Sequence, residues 1–191
     1  MKIAIGQIGT DADKTANFAL VAQAVITAAM NHARLILFPE ATMRAFGTGR
    51  LDEIAEPLDG PFVSALAGLA KNYNIAIVVG MFRPADQHVV SGRTINRVYN
   101  TTVAICPDGT VVHYDKIHTY DAFGYRESDT IKPGKNLVTF TYNTVTFGLA
   151  TCYDLRFPQQ FRQLARRGAD IILVPTSPVA SAIPHLCSPM A

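Results

Sequence analysis

Three residues of complementary chemistry sit just after strand-like runs: Glu40 in FPEATM, Lys116 in YDKIHTYDAFG, and Cys152 in GLATCYDLRFP. The carboxyl ends of strands are where open α/β sheets place their chemistry. A free thiol has a pKa of about 8.5, so only a few per cent is thiolate near neutral pH, and it needs a base and an electrostatic partner. Glu40 follows an apolar run and Pro39, where a carboxylate can be buried and can take a proton from a thiol. Lys116 in the same place can stabilise a developing oxyanion. Glu127, in ESDTIKPG, can orient the lysine or assist proton transfer. Each residue also has an ordinary structural reading. A lone cysteine is usually a small buried hydrophobe, Glu40 a loop carboxylate, Lys116 a solvated hairpin-end lysine and Glu127 a turn cap. Cys106 keeps the buried reading, and Cys187 has no assigned role.

Alternating strand and helix signals would have to position these groups. Residues 2–8 read as a buried strand. Asp11 and Asp13 offer caps for a helix at 14–31 with Phe18, Val21, Ala22, Val25 and Ala29 on one face. Residues 34–38 form the next strand. Gly60-Pro61 opens a helix with Phe62, Leu66, Leu69, Ala70 and Tyr73 inward. Residues 75–82 and 97–106 are strands, and PDGT at 107–110 turns the second into 111–114. The long loop 117–135 carries many polar and aromatic residues, a common setting for function. A hairpin over 137–140 and 145–150, a helix at 158–167 with Phe161, Leu164 and Ala165 inward, and a strand at 170–174 follow. Strands mixed with helices and two hairpins predict a layered α/β sandwich with a mixed sheet.

Composition narrows the function classes. The chain has 191 residues, 49% hydrophobic and 17% charged, with a net charge of +2. That is one domain's worth of chain with an ordinary core, and the scattered basic residues make no nucleic-acid face. The amino terminus lacks a signal-peptide pattern, and no apolar run reaches membrane-spanning length. Three cysteines without close spacing argue against a disulfide framework or a zinc site and for a reducing cytoplasm. The sequon at Asn100 then carries no meaning.

The motifs around Glu40, Lys116, Glu127 and Cys152, taken with IAIGQIGTDADKTAN and CPDGTVVHYDK, resemble the nitrilase superfamily of carbon–nitrogen hydrolases from residue 1 to Ser177. The resemblance implies an αββα sandwich and a Glu–Lys–Cys triad that needs no metal or organic cofactor. Glu40 would be the general base, Lys116 the oxyanion cation and Cys152 the nucleophile. Glu127 matches the second glutamate, and the Tyr153 N–H would be the other oxyanion donor. Asp154 and Arg156 would lock the loop by a salt bridge, with Arg156 alternatively facing a substrate carboxylate. His118 reads as a loop-structuring histidine. KIHTYDAFG and CYDLRFP are closest to the omega-amidase and deaminated-glutathione amidase branch. A small-molecule amide is the implied partner, and homodimers or higher homo-oligomers the implied assembly.

The resemblance covers a carbon–nitrogen hydrolase domain at 1–177, and the tail at 178–191 departs from it. Family chains usually run further, so the reading expects a truncated or frame-shifted product. Unpaired sheet edges and a thiol left open to water would follow. A second reading is therefore a catalytically inactive fragment, surviving as a folding remnant or binding module.

Overall fold

Two β-sheets lie face to face, each covered on its outer side by helices, in a computed structural model that describes residues 1–122 and 124–177. In chain order the elements are β1 (Ile3–Ile5), α1 (Lys14–Met30), β2 (Leu35–Leu37), α2 (Pro61–Tyr73), β3 (Ala76–Val90), β4 (Arg93–Ile105) and β5 (Val111–Asp115). The short strands β6 (Asp121–Ala122) and β7 (Tyr125–Arg126) come next. They are followed by β8 (Val138–Tyr142), β9 (Val145–Leu149), α3 (Pro158–Arg166) and β10 (Ile171–Leu173). The first sheet has the order β1-β2-β3-β4-β5, parallel through β3 and antiparallel after it. The second has the order β10-β9-β8.

The sequence explains the layering. On β3, Ile77 and Val79 join Ile36, Val103 and Ile105 against α1 and α2, which contribute Val21, Val25, Phe62 and Leu66. The alternate residues Ala76 and Val78 face the other way, with Leu35, Ala104 and Tyr114, and meet Phe140, Phe147, Leu149 and Leu173 of the second sheet. A strand buried on both faces reads as a continuous apolar run, as AIVVGMF does. Each fully buried large side chain adds about 1.5–3 kcal/mol. On the outer face of the second sheet, a Cβ on Gly148 would lie 3.2 Å from Ala169 and 3.3 Å from Leu164, so α3 and its exit loop pack close to the strand. This is the expected αββα sandwich.

Helix starts follow their caps. Asp13 accepts from the N–H groups of Thr15 and Ala16 at 2.8 and 3.2 Å, satisfying donors that a helix start leaves open. Glu56 accepts from the Phe62 N–H at 2.7 Å, and Pro61 occupies the first turn of α2. Helix faces are turned slightly from the expected ones. Asn17 and Ala28 are buried on α1, Val63 on α2 and Gln160 on α3, whereas Tyr73 and Ala165 are exposed.

Other departures have local causes. β1 is short and lies at an edge among the described residues, leaving Ile5 71% exposed. β3 and β4 run far past the expected ends into a two-stranded arm turned by Ser91-Gly92, both at positive φ. The arm is held by polar pairs such as Arg97–Asp86, so it lacks the apolar alternation that marks a strand. The β8–β9 turn falls on Asn143-Thr144, both left-handed, the backbone a tight two-residue hairpin requires. The loop after β5 holds the β6–β7 pair, a 3-10 turn at Glu127–Asp129 and a bridge between Val98 and Ile131.

Gly80 of β3 runs directly beneath the backbone of Glu40. A Cβ there would fall 1.6 Å from the Glu40 carbonyl oxygen, and the Gly80 N–H donates to the Pro39 carbonyl at 3.2 Å. Gly80→Ala is expected to cost about 1–3 kcal/mol, as overpacking does, read as a lower urea midpoint at unchanged m-value.

Candidate active site

Glu40 leaves β2, Lys116 leaves β5 and Cys152 leaves β9, all within three residues of a strand's carboxyl end. The first two come from one sheet and the third from the other, so the site straddles the sheet-to-sheet interface. Cys152 opens a 3-10 turn, Cys152–Arg156, with φ at +46°. A non-glycine residue there stores about 1–3 kcal/mol and persists only where its surroundings fix it. The Cys152 N–H donates to the Pro175 carbonyl at 3.0 Å, and Thr151 and Asp154 close a capping box around the turn.

Lys116 is buried between two buried glutamates. Its Nζ donates to Glu40 Oε1 at 3.1 Å and to Glu127 Oε1 and Oε2 at 3.0 and 2.9 Å. Burial pulls the ammonium down, but the charges of Glu40 and Glu127 outweigh it and hold it above its ordinary value. Burial pushes Glu127 up against the pull of Lys116, and Glu40 adds to the push. Glu127 Oε2 also accepts from the Tyr120 N–H at 2.6 Å.

The thiol of Cys152 is pushed up to about 12, first by burial, then by the negative charge of Glu40. Lys116 and the Ser177 amide pull the other way. The thiol is half-buried, in a setting that favours its neutral form.

Two site residues escaped the sequence reading. Asn100 donates to Glu40 Oε1 at 2.7 Å and is itself buried; it sits in the sequon set aside above. Ser177 donates its N–H to Glu40 Oε2 at 3.3 Å, and its hydroxyl accepts from the Ala41 N–H at 2.9 Å. A run of three polar residues, Asn100-Thr101-Thr102, directly before the apolar end of β4 was the available signal for Asn100. Glu40 thus accepts hydrogen bonds from Asn100, Lys116 and Ser177.

The expected Asp154–Arg156 lock is not formed. Asp154 is fully buried and bonded to Thr151, Tyr114 and His118, whereas Arg156 is exposed. The carboxylate faces the interior because the capping box turns it back over the 3-10 turn. His118 does structure the loop, stacking on Phe157 at 3.6 Å. Tyr153 packs edge-on against Tyr120 and Phe157, at 5.0 and 5.6 Å between centroids. Cys106 is buried between the sheets, with its thiol pushed up to about 11 by burial. Cys187 and the rest of 178–191 lie outside the described residues. Among the described residues no cluster of metal-ligating side chains occurs, and no helix is long and apolar enough to cross a membrane.

A hydrolase of Mycobacterium tuberculosis is 41% identical over 177 residues, covering 91% of this chain and 60% of that protein. An omega-amidase of Danio rerio is 29% identical over 180 residues, covering 91% and 62%. The chain thus spans about 60% of the length of the curated relatives it matches. The crystal structure of an amidase from Nesterenkonia sp. superposes with a TM-score of 0.75 at 26% identity, over 92% of this chain and 64% of that one. In a variant of that amidase with a glutamate replaced by leucine, the acetamide moiety of fluoroacetamide is covalently added to the active-site cysteine. Residues 2–188 match the carbon-nitrogen hydrolase family. With an αββα sandwich bringing a thiol, a lysine and two glutamates to one interface, the chain belongs to that family.

Proposed function

We propose that the protein hydrolyses the C–N bond of a small carboxamide, of the omega-amide type, through a cysteine thioester and with release of ammonia. The observation that carries this reading is Lys116, clamped between two buried carboxylates beside a neutral thiol. A free cation would serve many purposes, whereas a clamped one has a fixed place at which charge can develop. The covalent chemistry of the Nesterenkonia cysteine supports the same role for Cys152.

Glu40 takes the thiol proton as sulfur attacks the amide carbonyl. Lys116 and the Tyr153 N–H hold the resulting oxyanion. Glu40 returns its proton to the nitrogen, the C–N bond breaks and ammonia leaves. Glu40 then deprotonates a water that attacks the thioester, the C–S bond breaks, and the proton passes back to sulfur. Glu127 keeps Lys116 charged and aimed. Arg156, exposed on the turn that carries Cys152, is the candidate partner for a distant substrate carboxylate. A thiol nucleophile suits a reducing cytoplasm, and a homo-oligomer remains the proposed assembly.

With a panel of small omega-amides, ammonia release and an acyl adduct in the intact mass are expected for the wild type and absent in Cys152→Ala. Lys116→Met is expected to lower kcat roughly 10²–10³-fold, the scale for losing one oxyanion donor. Folded protein with neither adduct nor turnover would favour the inactive-fragment reading.

Glu40→Gln separates base from electrostatics. The negative charge of Glu40 raises the thiol, so removing it moves the midpoint of Cys152 alkylation by iodoacetamide to lower pH. Turnover falls in the same variant by about 10²–10⁴-fold, because the base is gone. An unchanged or higher alkylation midpoint would contradict the arrangement.

A further inference from the structure

The Asp154 carboxylate joins the two segments that carry Lys116 and Cys152. Its Oδ2 accepts from the Thr151 N–H at 2.8 Å and from the Tyr114 hydroxyl at 2.6 Å. Its Oδ1 accepts from the His118 N–H at 3.1 Å and lies 2.7 Å from His118 Nδ1. Thr151 immediately precedes Cys152. Tyr114 and His118 stand two residues before and two after Lys116. The Tyr114 hydroxyl in turn accepts from the Ile117 N–H at 3.1 Å and from Gln160 Nε2 of α3 at 2.9 Å. One buried carboxylate thereby ties the end of β9, both flanks of Lys116 and the helix after the nucleophile into a single knot.

We propose that Asp154 is a positioning residue that holds Cys152 in its left-handed turn at a fixed offset from Lys116 and Glu40. The inference rests on the reading of those three as the reacting groups. Lys116 and Cys152 belong to different sheets, so ordinary strand pairing does not set their separation. The turn is also strained, and strain of this kind relaxes unless something fixes it. Asp154 supplies the fixing on both sides. Without it, the Tyr114 hydroxyl and two backbone N–H groups lose their acceptor, and each such orphan favours rearrangement of the turn.

The consequence has an opposite-signed signature. A relaxed turn lets the thiol leave its buried setting, where burial holds it protonated. It then reacts faster with a simple alkylating reagent but no longer meets its base and cation during amide attack. Cys106 is an internal reference, because it is buried between the sheets away from the turn.

The test is alkylation of the full chain by iodoacetamide at pH 8, read separately at the Cys152 and Cys106 peptides, beside steady-state kinetics on an omega-amide. For Asp154→Asn, Cys152 labelling is expected to rise about 10-fold with Cys106 unchanged. In the same variant kcat should fall about 10–100-fold, the scale of displacing a reacting group by about 1 Å, while KM stays within about 3-fold. Unchanged Cys152 labelling, unchanged kcat, or Cys106 rising in step with Cys152 would overturn the proposal, the last because it marks general loosening. If Asp154→Asn does not fold, Tyr114→Phe decides on the same criteria, with shifts of about 3-fold, one hydrogen bond's worth. If the wild type turns over no amide, the Cys152-to-Cys106 labelling ratio still decides the role of Asp154 independently of the proposed function.

Discussion

The buried lysine between two buried carboxylates is the constraint on which the rest of the structure depends. Taking three charges out of water costs several kcal/mol per ion unless each is paired and hydrogen-bonded. Here each is. Lys116 uses its donors on both glutamates, and Glu40 is further served by Asn100 and Ser177, Glu127 by the Tyr120 N–H. These partners come from the loops after β2, β5 and β10, from β4 and from the 3-10 turn at Glu127. The cluster therefore exists only when the first sheet is assembled and the second is seated on it. Two glycines make the approach possible. Gly80 lets β3 pass under Glu40, and Gly134 lets its loop lie against the strand end before Lys116, where a Cβ would be 2.1 Å from the Asp115 carbonyl oxygen.

The same cluster explains a thiol that rests neutral. A cysteine activated in advance would need a net positive neighbourhood. Here one cation faces two anions, and burial adds to the bias. The arrangement suits a nucleophile that gives up its proton only as the bond to carbon forms, with Glu40 as receiver. On the proposed mechanism, thiolate and oxyanion would arise next to Lys116 while Glu40, made neutral for the moment, would no longer oppose them.

How far the sequence reveals this depends on where the information resides. Glu40, Lys116 and Cys152 are legible because each ends an apolar run, and strand ends are local features. A layered α/β sandwich is legible from the apolar pattern of β2, β3 and β9, whereas its αββα form is what the family resemblance implies. The polar arm of β3 and β4 is not, because its pairing rests on cross-strand side-chain bonds with no hydrophobic period. Asp154 is misleading for a related reason. Two residues from an arginine, it reads as half of a local ion pair, yet its partners Tyr114 and His118 are about 40 positions away in the chain. Asn100 likewise looks like a surface sequon until β4 is placed against Glu40.

Because the reacting groups come from facing sheets, the accuracy of the site is the accuracy of sheet packing. Tyr114 shows how the two are joined. Its ring lies in the inter-sheet core with Phe140 and Phe147, and its hydroxyl bonds the carboxylate that caps the nucleophile's turn. Burial of that hydroxyl raises it above an ordinary phenol, with the Asp154 charge adding to the effect, so its protonated, donating form is favoured. Close-packed interiors transmit displacement instead of absorbing it. A change in the Phe140–Phe147 stack is therefore felt at Asp154, and through Asp154 at Cys152. Hydrophobic packing between the sheets is in this sense part of the geometry of the site.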